Sequence, residues 1–227
     1  MNSQSQLSFG FDYRAAMGQE DFLIAPCNEE AVAWIDTWPN WPGPALCVHG
    51  PPGSGKTHLA QVWRARSNAV EATVAAMRGQ TPGDLLAGKS ACIVDAAVLE
   101  GEADERALLH LYNTVAERQG HLLLTAVQPP ARSVFQLDDL RSRLTAAPAV
   151  AIGAPDEGLL GAVMIKLFAD RQLEVDQEVI TYLVMRIERS FEALRRVVEI
   201  VDQSALAARR KVTVRLVREV LRDHGLA

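Results

Sequence analysis

The stretch Gly50-Pro51-Pro52-Gly53-Ser54-Gly55-Lys56-Thr57 fits the template G-x-x-x-x-G-K-[ST] at each of its fixed positions. The apolar run Ala45-Leu46-Cys47-Val48-His49 precedes it and reads as a short buried strand. His58-Leu59-Ala60-Gln61-Val62-Trp63 follows and reads as the start of a helix. A strand, a glycine-rich loop and a helix in that order make a phosphate cradle. Glycines let successive amide N–H groups turn inward on an anion, because no Cβ blocks the approach. The helix opening near Lys56 adds the positive end of its dipole. On this reading Lys56 reaches the β- and γ-phosphates of ADP or ATP, and Thr57 binds Mg²⁺.

Composition bounds the rest. A chain of 227 residues with net charge −5 has room for one or two domains and a substantial core. No apolar run is long enough to span a bilayer, and no signal peptide opens the sequence, so a cytoplasmic protein without a membrane partner is expected. The acidic balance argues against nucleic acid as the main partner. Cys27, Cys47 and Cys92 are far apart in apolar settings and read as buried small hydrophobes, not as disulfides or metal ligands.

From the N-terminus, Gln6-Leu7-Ser8-Phe9-Gly10-Phe11 places three large apolar side chains within five residues. It reads equally as an edge strand or as a linear motif for another protein's apolar pockets. Asn28 is a good N-cap for a helix over Glu29–Asp36. Trp34, Trp38 and Trp41 read as packing around a helix end and its exit loop. A strand is expected over Val70–Val74, with Pro82 and Gly83 breaking the chain after it. Ala91-Cys92-Ile93-Val94-Asp95 is a buried strand with a carboxylate at its end, placed to serve the Mg²⁺ shell. An amphipathic helix is expected over Asp104–Arg118, a strand over His121–Ala126, a short surface helix over Leu137–Leu144 and a last strand over Ala149–Ile152. Continuously apolar strands alternating with helices predict a parallel sheet with helices on both faces. Beyond Gly153-Ala154-Pro155 the strand pattern vanishes. Helices are expected over Asp156–Arg171, Asp176–Glu188, Phe191–Arg209 and from the cap Thr213 to Asp223.

An α/β nucleotide domain followed by a four-helix lid resembles the AAA+ plan: a P-loop NTPase domain with a parallel sheet, then a small helical lid domain. Gly55-Lys56-Thr57-His58-Leu59 resembles the phosphate loop of the replication initiator DnaA. Phe22-Leu23-Ile24-Ala25-Pro26-Cys27-Asn28 looks like that family's adenine-side segment; the two resemblances add His58 from the loop stretch, and Ile24 and Asn28 from this one, to the nucleotide-binding residues. Leu124–Pro130 resembles its first sensor, and Leu140-Arg141-Ser142-Arg143-Leu144 its arginine-finger box. Leu111-Tyr112-Asn113 and Ala207–Thr213 are similar to stretches of the Hda family, which inactivates DnaA. Gln6–Phe11 resembles that family's motif for the DNA sliding clamp, which assigns Gln6, Leu7, Phe9 and Phe11 to clamp binding.

The resemblance implies a division into a tail (1–20) bearing the clamp motif, an AAA+ domain (21–153) and a lid (154–227). It also implies a function. A clamp-tethered protein would promote hydrolysis of the ATP held by DnaA, using Arg143 as a finger in trans, and would meet DNA only through the clamp at the nucleoid. It leaves room for a homo-oligomer. The helix-turn-helix domain that follows the lid in the initiator is expected to be absent. Three positions depart from the family pattern. Ala96 stands where a second acid usually follows Asp95, Val127 occupies the acidic first-sensor position, and Glu192 aligns with the lid arginine that touches a γ-phosphate. These changes imply weak hydrolysis in cis and a bias toward ADP, unless Arg195 or Arg196 substitutes. The alternatives are a conventional ATPase such as a helicase loader, which would turn over alone, and a DnaA-like nucleic-acid-binding protein, which would bind DNA alone.

Overall fold

The computed structural model describes residues 13–14, 22–208 and 210–225. The clamp-type motif Gln6–Phe11 therefore lies outside the described residues. The chain divides into two compact units, with the boundary between Gly153 and Ala154.

The larger unit is built on a five-stranded parallel sheet. After the two-residue strands β1 (Tyr13–Arg14) and β2 (Phe22–Leu23), its strands are β3 (Ala45–His49), β4 (Val70–Ala72), β5 (Ala91–Asp95), β6 (His121–Ala126) and β7 (Ala149–Ala151). Their order across the sheet is β4-β5-β6-β3-β7. All pairings are parallel, and β3 lies between β6 and β7. A parallel sheet needs crossovers, and these put helices on both faces. The pleat sorts the strand residues accordingly. Leu46, Val48, Ile93 and Leu123 face α1 (Glu29–Asp36) and α2 (Lys56–Ser67). Cys47, Cys92, Val94, Leu122 and Leu124 face the other way. They pack under α3 (Val74–Gly79), α4 (Pro82–Leu86), α5 (Glu102–Glu117) and α6 (Asp138–Ala146). Burial alone pushes the Cys47 thiol up to about 12, and burial also pushes Cys92 up to about 12. Both behave as small hydrophobes, whereas Cys27 is only half-buried.

Several local expectations change. The strand from Val70 stops at Ala72, because the Thr73 side chain accepts a hydrogen bond from the Ala76 amide and starts α3. Pro82 does not break the chain; it is the first residue of α4, where a missing N–H costs nothing. The long helix begins at Glu102, so Asp104 lies inside its first turn, buried, in an ion pair with Arg78. Hydrogen bonding from Arg78, ahead of the opposing effect of burial, holds the Asp104 carboxyl below its usual value. The tryptophan cluster centres on Trp63 of α2, which nothing in the sequence joins to Trp34, Trp38 and Trp41. Trp63 stacks on Trp41 at 5.3 Å and meets Trp38 edge-on at 6.1 Å. The Trp41 Nε1–H donates to the Trp34 carbonyl at 2.9 Å. The helix that opens at the phosphate loop is thus anchored on its apolar side by aromatic packing.

Among the described residues the smaller unit has four helices: α7 (Glu157–Asp170), α8 (Gln177–Val184), α9 (Phe191–Ala208) and α10 (Val214–Asp223). The second ends at Val184, four residues short of the expected Glu188. Leu160, Met164 and Phe168 recur every four residues along α7 and meet Leu183, Val198 and Val217 in one core. Asp156 and Thr213 cap α7 and α10, accepting from the Leu159 and Leu216 amides. No helix among the described residues is long and apolar enough to cross a membrane.

Candidate nucleotide site and the helix of Arg141 and Arg143

The loop Gly50–Thr57 leaves the end of β3, at the edge where the neighbouring strands also end. Its start is fixed by the Gly50 amide, which donates to the Ala126 carbonyl at the end of β6 (3.1 Å). On the other side Ile152 N donates to the His49 carbonyl at 2.7 Å. A Cβ on Gly50 would fall onto the Ile152 carbonyl, so the loop can leave the sheet here only as glycine. Gly55, at φ 100°, makes the left-handed step that turns the loop into α2. Pro51 and Pro52 are exposed on the outside of the loop. Gly53, Lys56 and His58 are half-buried, and Thr57 is exposed in the first turn of α2. The Lys56 Nζ donates to the Gly50 and Pro51 carbonyls, each at 2.8 Å.

Electrostatics suit an anion. Burial lowers the Lys56 ammonium, and Asp95 opposes that shift. Burial, then Arg132, then Lys56 hold the His49 imidazole below its usual value. A phosphate chain placed here would meet the charges of Lys56 and Arg132, the two cations that act on His49. Arg132 follows Leu124–Pro130 and carries no motif that would mark it in sequence. The buried Ser54 hydroxyl has no hydrogen-bond partner among the described residues, as expected of a loop whose polar groups await a ligand.

Asp95 ends β5, and its Oδ1 is held by the Thr125 hydroxyl at 3.0 Å and the Ala97 amide at 3.1 Å. Thr125 comes from the adjacent β6, so strand register sets this contact. No trio of His, Cys, Asp or Glu among the described residues could hold a metal ion by itself. Thr57 and Asp95 are the side chains that a Mg²⁺ ion could share with phosphate oxygens.

Asn28 sits at the N-cap of α1 but does not cap it. Its side chain turns back, accepting from the Ala25 amide (2.9 Å) and donating to the Leu23 carbonyl (3.0 Å). This buried amide pins the segment around the half-buried Ile24. The next tie runs from Gly153 N to the Cys27 carbonyl at 2.8 Å, so Ile24–Asn28 lies beside the strand end that flanks Gly50. The sequence motifs and this segment thus meet at one place.

The helix α6, which carries Arg141 and Arg143, is held by α5. The buried Glu105 carboxylate accepts from the Gln136 amide (2.9 Å) and the Leu137 amide (2.8 Å), at the start of α6. A carboxylate there also complements the helix dipole. On α6, Arg143 Nε lies 3.1 Å from Asp139, and Arg141 lies 2.8 Å from Asp138. Glu105→Ala leaves two amides without their charged acceptor and is expected to cost about 3 kcal/mol in urea unfolding; a loss under about 1 kcal/mol would show that water replaces the carboxylate.

Residues 162–221 match the family model of the Hda lid domain. Domain III of the replication initiation protein DnaA from Thermotoga maritima has a TM-score of 0.77 to this chain at 18% identity. The match covers 89% of this chain and 94% of that one. The chain has the fold of DnaA domain III, and its second unit carries the match to the Hda lid domain. AMPPCP-bound DnaA from Aquifex aeolicus gives 0.65 at 18% identity, covering 79% of this chain and 63% of that one. The RuvB Holliday junction branch migration motor of Thermotoga maritima gives 0.62 at 14% identity, covering 78% and 61%. The Hda-type match spans α8, α9 and most of α7 and α10, and includes Glu192, Arg195 and Arg196 on α9.

Proposed function

We propose that this protein is a negative regulator of replication initiation. In this reading it binds ADP or ATP with Mg²⁺ at Gly50–Thr57 and Asp95, with Ile24, Asn28 and His58 completing the nucleotide site. Gln6, Leu7, Phe9 and Phe11 tether it to the DNA polymerase sliding clamp, and Arg143 acts on ATP held by DnaA. It works at the nucleoid and reaches DNA only through the clamp. The observation that carries the reading is the Hda-type lid on a DnaA-like core. The departures Ala96 and Glu192 favour it over a self-sufficient ATPase. Without a second acid after Asp95, the chain's own water is poorly activated. A carboxylate at Glu192 would disfavour the extra charge of a γ-phosphate.

The chemistry asked of Arg143 is electrostatic. In phosphoryl transfer, charge spreads over the equatorial oxygens, and a guanidinium fork stabilises it. The test is the rate of ATP loss from preloaded DnaA, with DNA-loaded clamp and this protein added singly and together. Acceleration only with both supports the reading. Equal acceleration without clamp removes the tether, and rapid turnover by this protein alone favours the conventional ATPase. Deleting Gln6–Phe11 is expected to abolish clamp binding and leave the melting temperature within about 2 °C, since ΔΔG near zero moves Tm little. A large fall in Tm with clamp binding retained would make the segment an internal strand.

A further inference from the structure

We infer that Tyr112 is a positioning residue for Arg143: its ring face and the Asp139 carboxylate together hold the guanidinium ready before any partner arrives. This rests on the reading of Arg143 as a finger in trans. The Arg143 Cζ lies 5.7 Å from the Tyr112 ring centroid, within cation–π range. Tyr112 is only 8% exposed and belongs to the core under α5, so the ring itself cannot swing away. Burial raises its phenol, against the pull of Arg143, so the ring stays neutral at pH 7. The Asp139 bond runs to Nε, so the outer nitrogens of the fork lie beyond that contact. Arg141 has no such support among the described contacts. Its side chain is 58% exposed against 39% for Arg143, and its partner Asp138 is itself 86% exposed.

Glu105 and Tyr112 lie seven residues apart on α5, two turns along one face. Glu105 holds the start of α6, and Tyr112 holds the side chain near its end. The helix thus fixes both where α6 sits and where its arginine points. A side chain already ordered has less entropy to lose when it meets a transition state.

The test uses the full chain with ¹⁵N-labelled arginine and three variants. Tyr112→Phe keeps the ring face and is expected to leave both readouts unchanged. Tyr112→Leu is expected to drop the Arg143 Nε–H order parameter below about 0.6. It should also lower the clamp-dependent rate constant for DnaA ATP hydrolysis about fivefold, the equivalent of about 1 kcal/mol, with half-saturation by DnaA unchanged. Should the leucine variant fold poorly, progressively fluorinated phenylalanine at position 112 weakens the ring's negative face at nearly constant shape; both readouts should then fall stepwise. An order parameter untouched by Tyr112→Leu or by fluorination overturns the proposal. So does a rate that falls equally in Tyr112→Phe. Normal DnaA hydrolysis with Arg143→Ala instead removes the finger reading, and the order parameter still decides whether Tyr112 holds the arginine.

Discussion

Replacing Arg143 by alanine is expected to stop the clamp-dependent loss of ATP from DnaA, a fall of roughly three to five orders of magnitude. Folding, nucleotide binding and clamp binding should survive. A group that acts only on a partner's transition state contributes nothing to its own ground state. The contacts of Arg143 agree with a small effect on stability. Its ion pair with Asp139 is exposed, and such pairs contribute about 0–1 kcal/mol. Arg143→Lys should rescue little, since an ammonium cannot present a planar fork. The measurement is single-turnover hydrolysis of ATP preloaded on DnaA with DNA-loaded clamp and each variant. Near-normal hydrolysis with Arg143→Ala and a dead Arg141→Ala would move the role to Arg141. Normal hydrolysis with both would sink the mechanism.

Lys56→Ala is expected to lose ADP and ATP together, by about 100-fold in Kd, because it removes a charged contact common to both. With Lys56 intact, ADP should bind at least as tightly as ATP. Glu192 stands in the first turn of α9, with Arg195 and Arg196 one turn further on the same exposed side. If one of those arginines serves a γ-phosphate, calorimetry will show ATP bound some tenfold more tightly than ADP, a gap of about 1.4 kcal/mol. That outcome would end the diphosphate bias and leave the phosphate loop intact. Retention of both nucleotides by Lys56→Ala would remove Lys56 from the site.

The strand, loop and helix around Gly50–Thr57, the parallel sheet with helices on both faces and the four-helix lid were legible in the chain. They depend on local terms: apolar runs, glycine and proline at defined offsets, and capping side chains such as Asp156 and Thr213. The elements missed at the sequence level were the short helices α3 and α4, whose starts rest on single threonine hydroxyls. Asn28 shows the limit of a local rule. Its position marks an N-cap, yet burial makes its amide satisfy Leu23 and Ala25 instead. Contacts between distant stretches were decided only by the tertiary structure. Thr125 reaches Asp95 because β5 and β6 pair in one register. Glu105 reads in sequence as one more acid in a helix's first turn, yet it holds a backbone 31 and 32 residues away. Tyr112 reads as an ordinary core position, and nothing in its spacing joins it to Arg143. Periodicity reports which face of an element is buried. It carries no information about which element will cover that face, because that choice belongs to the packing of the whole core.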